Sequence, residues 1–372
     1  AAVPGWTFSK CPAERKAVTV GRNYKMTPSK TQVTKAGKAL LSSKLPEERN
    51  NALEIINEWR TNHLYPLTLM RNFLIRLLAA HNIEPYLVSQ RLKRLTSIEY
   101  KLDLNKNMAL GGMQDIGGFR IVVKDTKDLF RLKKLIEQKK ETKSYKLEYS
   151  DNYVDEPRHS GYRSIHYIYT FRSKIERCDG LKLELQIRTR LQHNWATAVE
   201  TAGIYTKTSL KSSKGPDEWL NFFKTVSSLF AIKEKLAVLS VHEDKEMHQL
   251  MIDSYNYTHK LNVILILKGL RISAKHIETD KIDGDYFLIN INFKDKVVNI
   301  ANFKSRDFTV ATNAYLQLEK TIKDNENAVV FVSATSFKSL KKAYPSYFLD
   351  TSEFIAALEK MNSNCKEWGL IK

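Results

Sequence analysis

Cysteine is scarce in this sequence, and apolar runs long enough to cross a bilayer are missing. Only Cys11, Cys178 and Cys365 occur in 372 residues, and no two of them are close in sequence. This scarcity argues against a disulfide framework or a cysteine-based zinc motif and favours a reducing compartment. No stretch approaches the roughly 18 apolar residues that a membrane helix needs, and no charged leader precedes an apolar run. We therefore expect a cytoplasmic protein without a membrane partner.

Acidic residues are the second deficit. Sixty Lys and Arg residues oppose 41 Asp and Glu, which gives a formal net charge of +19. Such a surplus attracts phosphate-rich partners, although a basic composition also suits acidic protein surfaces. The surplus is largest at the start of the chain, where residues 1–50 hold ten Lys or Arg and three Glu. This basic segment either docks on a sugar-phosphate backbone or is a solvated arm.

The spacing of apolar residues predicts the elements of an α+β, α/β-like core. Helical spacing predicts two helices from Pro46 to about Leu78, broken near Pro66, and a third that starts after Pro85 and runs through Ile98. Alternating or continuous apolar runs then predict strands at 119–123, 165–171 and 181–187, with a helix at 129–136 between the first two. Helices that alternate with strands indicate a sheet flanked by helices.

The remainder of the chain predicts a second unit. Long helices are expected from Gly215 to about Tyr257, and further helices at 311–323 and 352–361. The predicted strands of this part are 263–267, 286–291, 297–301 and 329–332. We expect a basic segment at 1–45, a core domain at 46–240, a linker helix at 241–260 and a small C-terminal α+β domain at 261–372.

Two polar segments of the core suit phosphoryl chemistry. The stretch from Arg91 to Lys101 places four cations within eleven residues at the expected end of a helix, and a triphosphate needs several converging cations. Asp115 precedes a glycine pair and a buried strand, where a carboxylate can hold Mg²⁺ and the glycines can admit a ligand. Taken singly, the first segment is more often a solvated basic face, and the second is more often an ordinary turn.

Two further segments follow in the chain. The turn from Tyr153 to His166 is rich in basic and aromatic residues, and it offers either a platform for a base or ordinary packing. On the strand that follows, Glu184, Gln186 and Arg188 share one face, because side chains alternate along a strand. That face is free to carry charge, as is the surface face of many sheets.

The four segments in this order resemble the synthetase domain of the RelA/SpoT family. The resemblance covers about residues 86–205 and rests on R-x-K-x-x-x-S-I-x-x-K from Arg91, D-I-G-x-x-R from Asp115, G-Y-R-S-x-H from Gly161 and E-x-Q-I-R-T from Glu184. It implies a nucleotidyltransferase-like mixed sheet and an ATP-dependent pyrophosphokinase. Such an enzyme transfers pyrophosphate from ATP to a ribose hydroxyl of a second nucleotide.

The resemblance also implies a role for each matching residue. Asp115 and Glu184 would be catalytic and hold Mg²⁺. The residues implied at the ATP phosphates and base are Arg91, Lys93, Ser97, Lys101 and Arg120, and those implied at the acceptor are Arg158, Tyr162, His166, Gln186 and Arg188. Among the latter, Tyr162 would stack on the acceptor base.

Two departures from the family pattern bear on function. The family's hydrolase half needs a His-Asp pair, and no His is followed by Asp in this chain, which favours a synthetase without hydrolysis. Ser160 stands where guanosine-accepting members commonly have Asn. Three readings remain open: transfer to the 3′-terminal adenosine of the tRNA CCA end, alarmone synthesis from GDP or GTP, and a catalytically dead RNA-binding regulator. The basic charge favours tRNA, whereas the two carboxylates oppose the dead regulator.

The C-terminal part resembles the tail of the CapRel fused toxin-antitoxins of this family. Tyr344 and Tyr347 match a Tyr-x-x-Tyr pattern of a zinc-finger-like domain that has lost its metal and covers the ATP site. The resemblance implies autoinhibition that a phage major capsid protein relieves, and hence an anti-phage role. The alternatives are that the pair simply packs in a core and that the domain stabilises the enzyme.

Overall fold

The structure is a computed structural model, and it describes residues 27–43, 45–206, 208–273, 284–292, 297–320, 327–333 and 351–371. Its helices are α1 (Lys30–Ser42), α2 (Pro46–Asn62), α3 (Leu64–Ala80), α4 (Leu95–Leu104), α5 (Thr126–Gln138), α6 (Arg190–Thr206), α7 (Asp217–Glu234), α8 (Met247–Lys260), α9 (Val263–Ser273), α10 (Phe308–Lys320) and α11 (Ser352–Glu367). No helix in these ranges combines the length and apolar content that a bilayer crossing requires.

Within these ranges, eight strands form one mixed sheet. They are β1 (Leu87–Leu92), β2 (Gly117–Val123), β3 (Tyr145–Asn152), β4 (Ile165–Phe171), β5 (Lys182–Thr189), β6 (Tyr286–Asn292), β7 (Val297–Phe303) and β8 (Asn327–Ser333). Their order is β3-β4-β5-β2-β1-β8-β6-β7, and only β2 and β5 run parallel. The expected α+β class with a mixed sheet and flanking helices is confirmed.

The sheet joins the core to the C-terminal part of the chain. Gln90 and Arg91 of β1 lie opposite Ser333 and Val332 of β8, and β6 and β7 continue the sheet beyond β8. β5 buries its alternate residues Leu183, Leu185 and Ile187 completely. These side chains belong to a large apolar core shared with the N-terminal helices and with α10. The opposite, polar face of β5 is therefore left for the site.

A second apolar core lies among α6, α7, α9 and α11. Its buried aromatic members include Trp195, Phe222 and Phe354. α11 is also tied to the start of α6, because the Glu353 carboxylate accepts hydrogen bonds from Arg190 Nε and Asn194 Nδ2, both at 2.7 Å. The C-terminal part thus contacts the core at the sheet and at this helical layer.

Two of the predicted elements are wrong. The helix expected after Pro85 is the strand β1 followed by α4, and β1 lies between two other strands, so it lacks the alternation that marks a half-buried strand. The run of apolar residues at 263–267 was predicted as a strand and is the start of α9. Val263 and Leu267 are both fully buried one turn apart, whereas Leu265 is 71% exposed, which is a helical pattern.

Other boundaries shift for identifiable reasons. The break between α2 and α3 falls at His63, and Pro66 lies in the first turn of α3, where a proline costs no hydrogen bond. The strand β3 was missed because it is at the edge of the sheet and mostly exposed. The remaining predicted strands and helices appear close to their expected positions, including β4, whose bounds agree at both ends.

Candidate active site

A cleft opens on the polar face of the sheet at β1, β2 and β5. Across the parallel pair, Gly118 lies opposite Glu184 and Arg120 lies opposite Gln186. Gly118 has no side chain, so the space beside Glu184 stays open. The residues that line the cleft are Ser89, Arg91, Asp115, Gly118, Phe119, Arg120, Glu184 and Gln186. Five of the residues to which the sequence assigns a role therefore share one cavity.

Asp115 is held at the cleft by two lysines. Lys93 Nζ donates to Oδ2 at 2.6 Å and Lys101 Nζ donates to Oδ1 at 3.0 Å. Burial alone would raise the pKa of the Asp115 carboxyl, but the two ammonium groups lower it to about 2. Asp115 is thus a carboxylate at neutral pH, and two of the four cations predicted for ATP contact it.

Glu184 is the second carboxylate of the cleft. Its Oε1 lies 3.0 Å from His166 Nδ1, and its Oε2 accepts a hydrogen bond from Gln186 Nε2 at 2.8 Å. Burial would raise the pKa of Glu184, yet its contact with His166 holds the pKa below its ordinary value. The charge of Asp115, which lines the same cleft, raises the pKa of Glu184 but does not outweigh the contact with His166.

A group of arginines stands beside the carboxylates. Arg188 is 2% exposed and its Nη2 lies 2.5 Å from His193 Nδ1. Within the described ranges no acceptor reaches Arg188 Nε or Nη1, or Arg120 Nε, although these atoms are buried. Burial and the charges of Arg120 and Arg91 lower the pKa of Arg188 to about 9. These positive groups repel one another, and within the described residues Arg120 and Arg188 have unused N–H donors. A polyanion bound beside them would offset the repulsion and accept those hydrogen bonds.

The donor set at the carboxylates fits magnesium better than zinc. No group of three or more His, Cys, Asp or Glu that could hold a metal occurs among the described residues. Mg²⁺ needs fewer protein ligands, because it is commonly bound by one or two carboxylates together with substrate phosphates. Asp115 and Glu184 both line the cleft and both have a lowered pKa, so they offer two carboxylates to a divalent cation. The two residues fit a metal of this kind.

The aromatic residue predicted for the acceptor base is covered. Tyr162 is 4% exposed, its hydroxyl lies 2.9 Å from His166 Nε2, and Lys211 Nζ stands 5.1 Å from its ring centroid. Lys211 also pairs with Glu200 Oε1 at 2.9 Å. A base could therefore stack on this side of Tyr162 only if Lys211 moved.

The other predicted residues lie around these groups. Ser97 is in the first turn of α4, whose Lys101 reaches Asp115. Arg158 is exposed, and its guanidinium stands 4.2 Å from the ring centroid of Tyr153 and 5.9 Å from that of Tyr162. The predicted autoinhibitory pair, Tyr344 and Tyr347, lies outside the described residues.

The sequence interpretation assigned no site role to Ser89, Lys211 or Glu200. Ser89 belongs to β1, which was predicted as a helix, so its place in the sheet was hidden. Lys211 reaches the site from a short turn at 210–212 after α6. No local pattern marks either residue. Glu200 belongs to a W-A-x-x-x-E pattern at 195–200, and that pattern was the available signal.

Comparison with known proteins identifies the region that holds the cleft. Residues 90–210 match the sequence model of a region found in RelA/SpoT proteins. No curated protein matches the chain. A solved GTP pyrophosphokinase family protein from Streptococcus pneumoniae is 19% identical, with a TM-score of 0.40, and the match covers 48% of this chain and 88% of that chain.

Two solved Bacillus subtilis proteins give similar matches. Small alarmone synthetase 1, bound to its product pppGpp, is 22% identical over 47% of this chain and 90% of its own, with a TM-score of 0.40. Small alarmone synthetase 2 is 23% identical over 48% of this chain and 93% of its own, also with a TM-score of 0.40. Residues 90–210, which match the RelA/SpoT model, supply all but one of the residues that line the cleft.

Proposed function

We propose that the protein is an ATP-dependent pyrophosphokinase. The observation that carries this proposal is the meeting of Asp115 and Glu184 in one cleft with Arg91 and Arg120, beside the buried Arg188. The RelA/SpoT match of residues 90–210 supports the same activity. Cations beside two carboxylates suit a reaction in which phosphate charge must be neutralised while a hydroxyl is activated.

The proposed reaction transfers the terminal pyrophosphate of ATP. The acceptor hydroxyl oxygen attacks the β-phosphorus, the bond from that phosphorus to the α,β-bridging oxygen breaks, and AMP leaves. Glu184 takes the hydroxyl proton; a carboxylate has lone pairs beyond those used by His166 and Gln186. Asp115 and Glu184 would hold Mg²⁺, which when bound neutralises charge on the phosphate oxygens.

The cations have separate places in this scheme. Lys93 and Lys101 hold Asp115 at the cleft and stand next to the expected phosphates. Arg120 lines the cleft and lies near Arg188, and the unused donors of both would bind phosphate oxygens. Arg158 and Tyr162 would contact the acceptor.

For the acceptor we propose the 3′-terminal adenosine of tRNA, with GDP or GTP as the alternative. The net charge of +19 supports a partner with many phosphates. Helix α1 adds to this support, because it buries Val33 and Leu40 and leaves Lys30, Lys35 and Lys38 exposed. These lysines are available to a sugar-phosphate backbone.

A labelling experiment separates the possible acceptors. Purified protein is incubated with γ-labelled ATP and with deacylated tRNA, GDP or GTP, and a matched tRNA without its terminal adenosine is the control. Label in intact tRNA alone supports the proposal, and label in guanosine nucleotide alone makes the chain an alarmone synthetase. If no acceptor is labelled, and Glu184→Gln leaves toxicity in cells unchanged, the chain is a binding protein and not a pyrophosphokinase.

We also propose that the C-terminal part restrains the enzyme until a trigger such as a phage capsid protein binds it. The support is its attachment to the core at both ends of the cleft region: β8 pairs with β1 at Arg91, and Glu353 binds Arg190. Removal of all residues after 260 is a poor test, because it takes three strands from the sheet. Mutating Tyr344 and Tyr347 to Ala is the sharper test, and unchanged toxicity of a folded double variant would oppose the proposal.

A further inference from the structure

A fully buried ion pair connects α2 to α10. Arg60 is 0% exposed, and its Nη1 donates to Glu319 Oε2 at 2.5 Å while Nη2 donates to Oε1 at 3.2 Å. The Tyr315 hydroxyl accepts a hydrogen bond from Arg60 Nη2 and donates one to Glu319 Oε1 at 2.9 Å. Burial alone would lower the pKa of Arg60, but Tyr315 and Glu319 raise it above its ordinary value. These three side chains are named the Arg60 network.

The Arg60 network forms two hydrogen bonds with the backbone, one on each side of Arg94. Arg60 Nε donates to the Lys93 carbonyl oxygen at 3.0 Å, and the Leu95 amide donates to Glu319 Oε1 at 2.8 Å. Leu95 is the first residue of α4, where amides have no partner within the helix, and the N-cap residue Arg94 gives no side-chain cap. The carboxylate of Glu319 therefore caps α4 from a helix that lies more than 200 residues further along the chain.

This backbone carries the cations of the cleft. Lys93, whose carbonyl Arg60 binds, reaches Asp115 with its ammonium group, and Lys101 of α4 reaches the other oxygen of the same carboxylate. A carboxylate at the start of α4 also interacts favourably with the helix dipole. The position of both lysines therefore depends on two buried groups outside the cleft.

The acceptor side of the cleft is remote from the network. Tyr162 and His166 lie at the start of β4, and β5 and β2 separate β4 from β1 in the sheet. Among the described residues, the contacts of Glu319 are confined to Arg60, Tyr315 and Leu95. A change at Glu319 is expected to disturb the binding of one substrate only.

We propose that Glu319, together with Arg60, is a positioning residue for the triphosphate site: it fixes the segment 93–95 so that Lys93 and Lys101 meet the phosphates of ATP. This inference rests on the proposed pyrophosphokinase function. It gives the C-terminal part a second role, because α10 completes the ATP site that this part is proposed to restrain. Positioning by groups away from the reacting atoms has large effects on rate when it fails.

The test separates positioning from simple stability. Replacement of a buried ion pair by apolar residues of similar volume commonly keeps the fold, whereas removal of one partner leaves an uncompensated buried charge. The double variant Arg60→Met with Glu319→Leu therefore keeps a filled core but loses both hydrogen bonds to the segment 93–95. Gln317→Ala, at an exposed position of α10, is the matched control.

The readouts are the melting temperature, the KM values for ATP and acceptor, and the calorimetric affinity for a non-hydrolysable ATP analogue. We expect the double variant to have a melting temperature close to that of the wild type. Its KM for ATP and its Kd for the analogue should rise about ten-fold, because hydrogen bonds to charged groups are lost. Its KM for the acceptor should not change. A stable double variant with normal ATP affinity overturns the proposal. If that variant does not fold, the same measurements are made on Glu319→Gln. An unchanged affinity of Glu319→Gln for the ATP analogue overturns the proposal.

The outcome also distinguishes this inference from the proposed function. If the wild-type protein binds the ATP analogue but labels no acceptor, the pyrophosphokinase proposal fails. The affinities of the variants for the analogue would still test whether Glu319 positions the triphosphate site. Should it label an acceptor with the same ATP KM in wild type and double variant, the function stands and the positioning role fails.

Discussion

Lys211 blocks one side of the ring on which we expect the acceptor base to stack, and Lys211→Met tests this expectation. The ammonium group lies 5.1 Å from the centroid of the Tyr162 ring and is paired with Glu200. Methionine keeps most of the apolar stem and removes the charge. If the base must displace Lys211, the variant should bind acceptor more tightly.

The size of the effect follows from the two contacts that the acceptor would break. A cation over an aromatic ring at a partly exposed site contributes about 0.5–1 kcal/mol. The ion pair with Glu200 is worth roughly 0–1 kcal/mol, because its two side chains are 37% and 40% exposed. Their sum of about 1 kcal/mol corresponds to a fall of about five-fold in the acceptor KM.

The assay measures initial rates against acceptor concentration at saturating ATP. Lys214→Met is the matched control, because Lys214 is an exposed lysine near the same turn. The ATP KM should stay unchanged in both variants. A rise in the acceptor KM of Lys211→Met would refute this reasoning, since it would mean that Lys211 binds the acceptor rather than excluding it.

Three further predictions concern the cleft and its supports. Glu184→Gln should lower kcat by roughly 10²-fold or more, because the proposed proton acceptor and one of the two proposed Mg²⁺ ligands lose their charge; an unchanged kcat would contradict the assigned role. Burial lowers the pKa of His63 to about 4, so the unfolded state binds more protons below pH 6.5. The free energy of unfolding should therefore fall by about 1.4 kcal/mol per pH unit between pH 6 and pH 4.5, and urea titrations of His63→Gln should show a flatter dependence. Glu353→Gln should cost about 1 kcal/mol of stability at pH 7, measured by thermal melting, because the bond to Arg190 loses its charge; since its pKa is lowered in the folded protein, the wild-type advantage should shrink as acid protonates Glu353, and an advantage that does not shrink at any acid pH would contradict this cause.

The parts of the fold with strong local patterns could be predicted from the sequence. The strand Ile165–Phe171 has nearly continuous burial and the bounds expected of it. On β5 the alternation of polar and apolar residues places Glu184 and Gln186 on one face, and the structure has them on the cleft. The four compact segments predicted which residues to examine, and the structure brings five of them to one cleft, whereas their roles as site residues stay predictions.

The elements and residues that could not be predicted depend on contacts with parts of the chain that are distant in sequence. β1 lacks a strand pattern because strands on both sides cover it, and its neighbour β8 lies far along the chain. The run at 263–267 is apolar enough for a strand or a helix, and only packing against α6 and α11 decides between them. Glu319 carries no sequence signal, since its partners belong to α2 and α4. Lys211 was hidden for the same reason.

The central place of β1 in the sheet has a consequence for synthesis on the ribosome. When residues up to α6 have emerged, β1 can pair with β2, but its other edge waits for β8. An open strand edge is a site for unwanted association, and the growing chain keeps this edge bare until residue 333 has been made. Glu319 precedes β8 by only a few residues, so the cap of α4 and the second neighbour of β1 become available at nearly the same time. A nascent chain would thus complete the cleft only late in its translation.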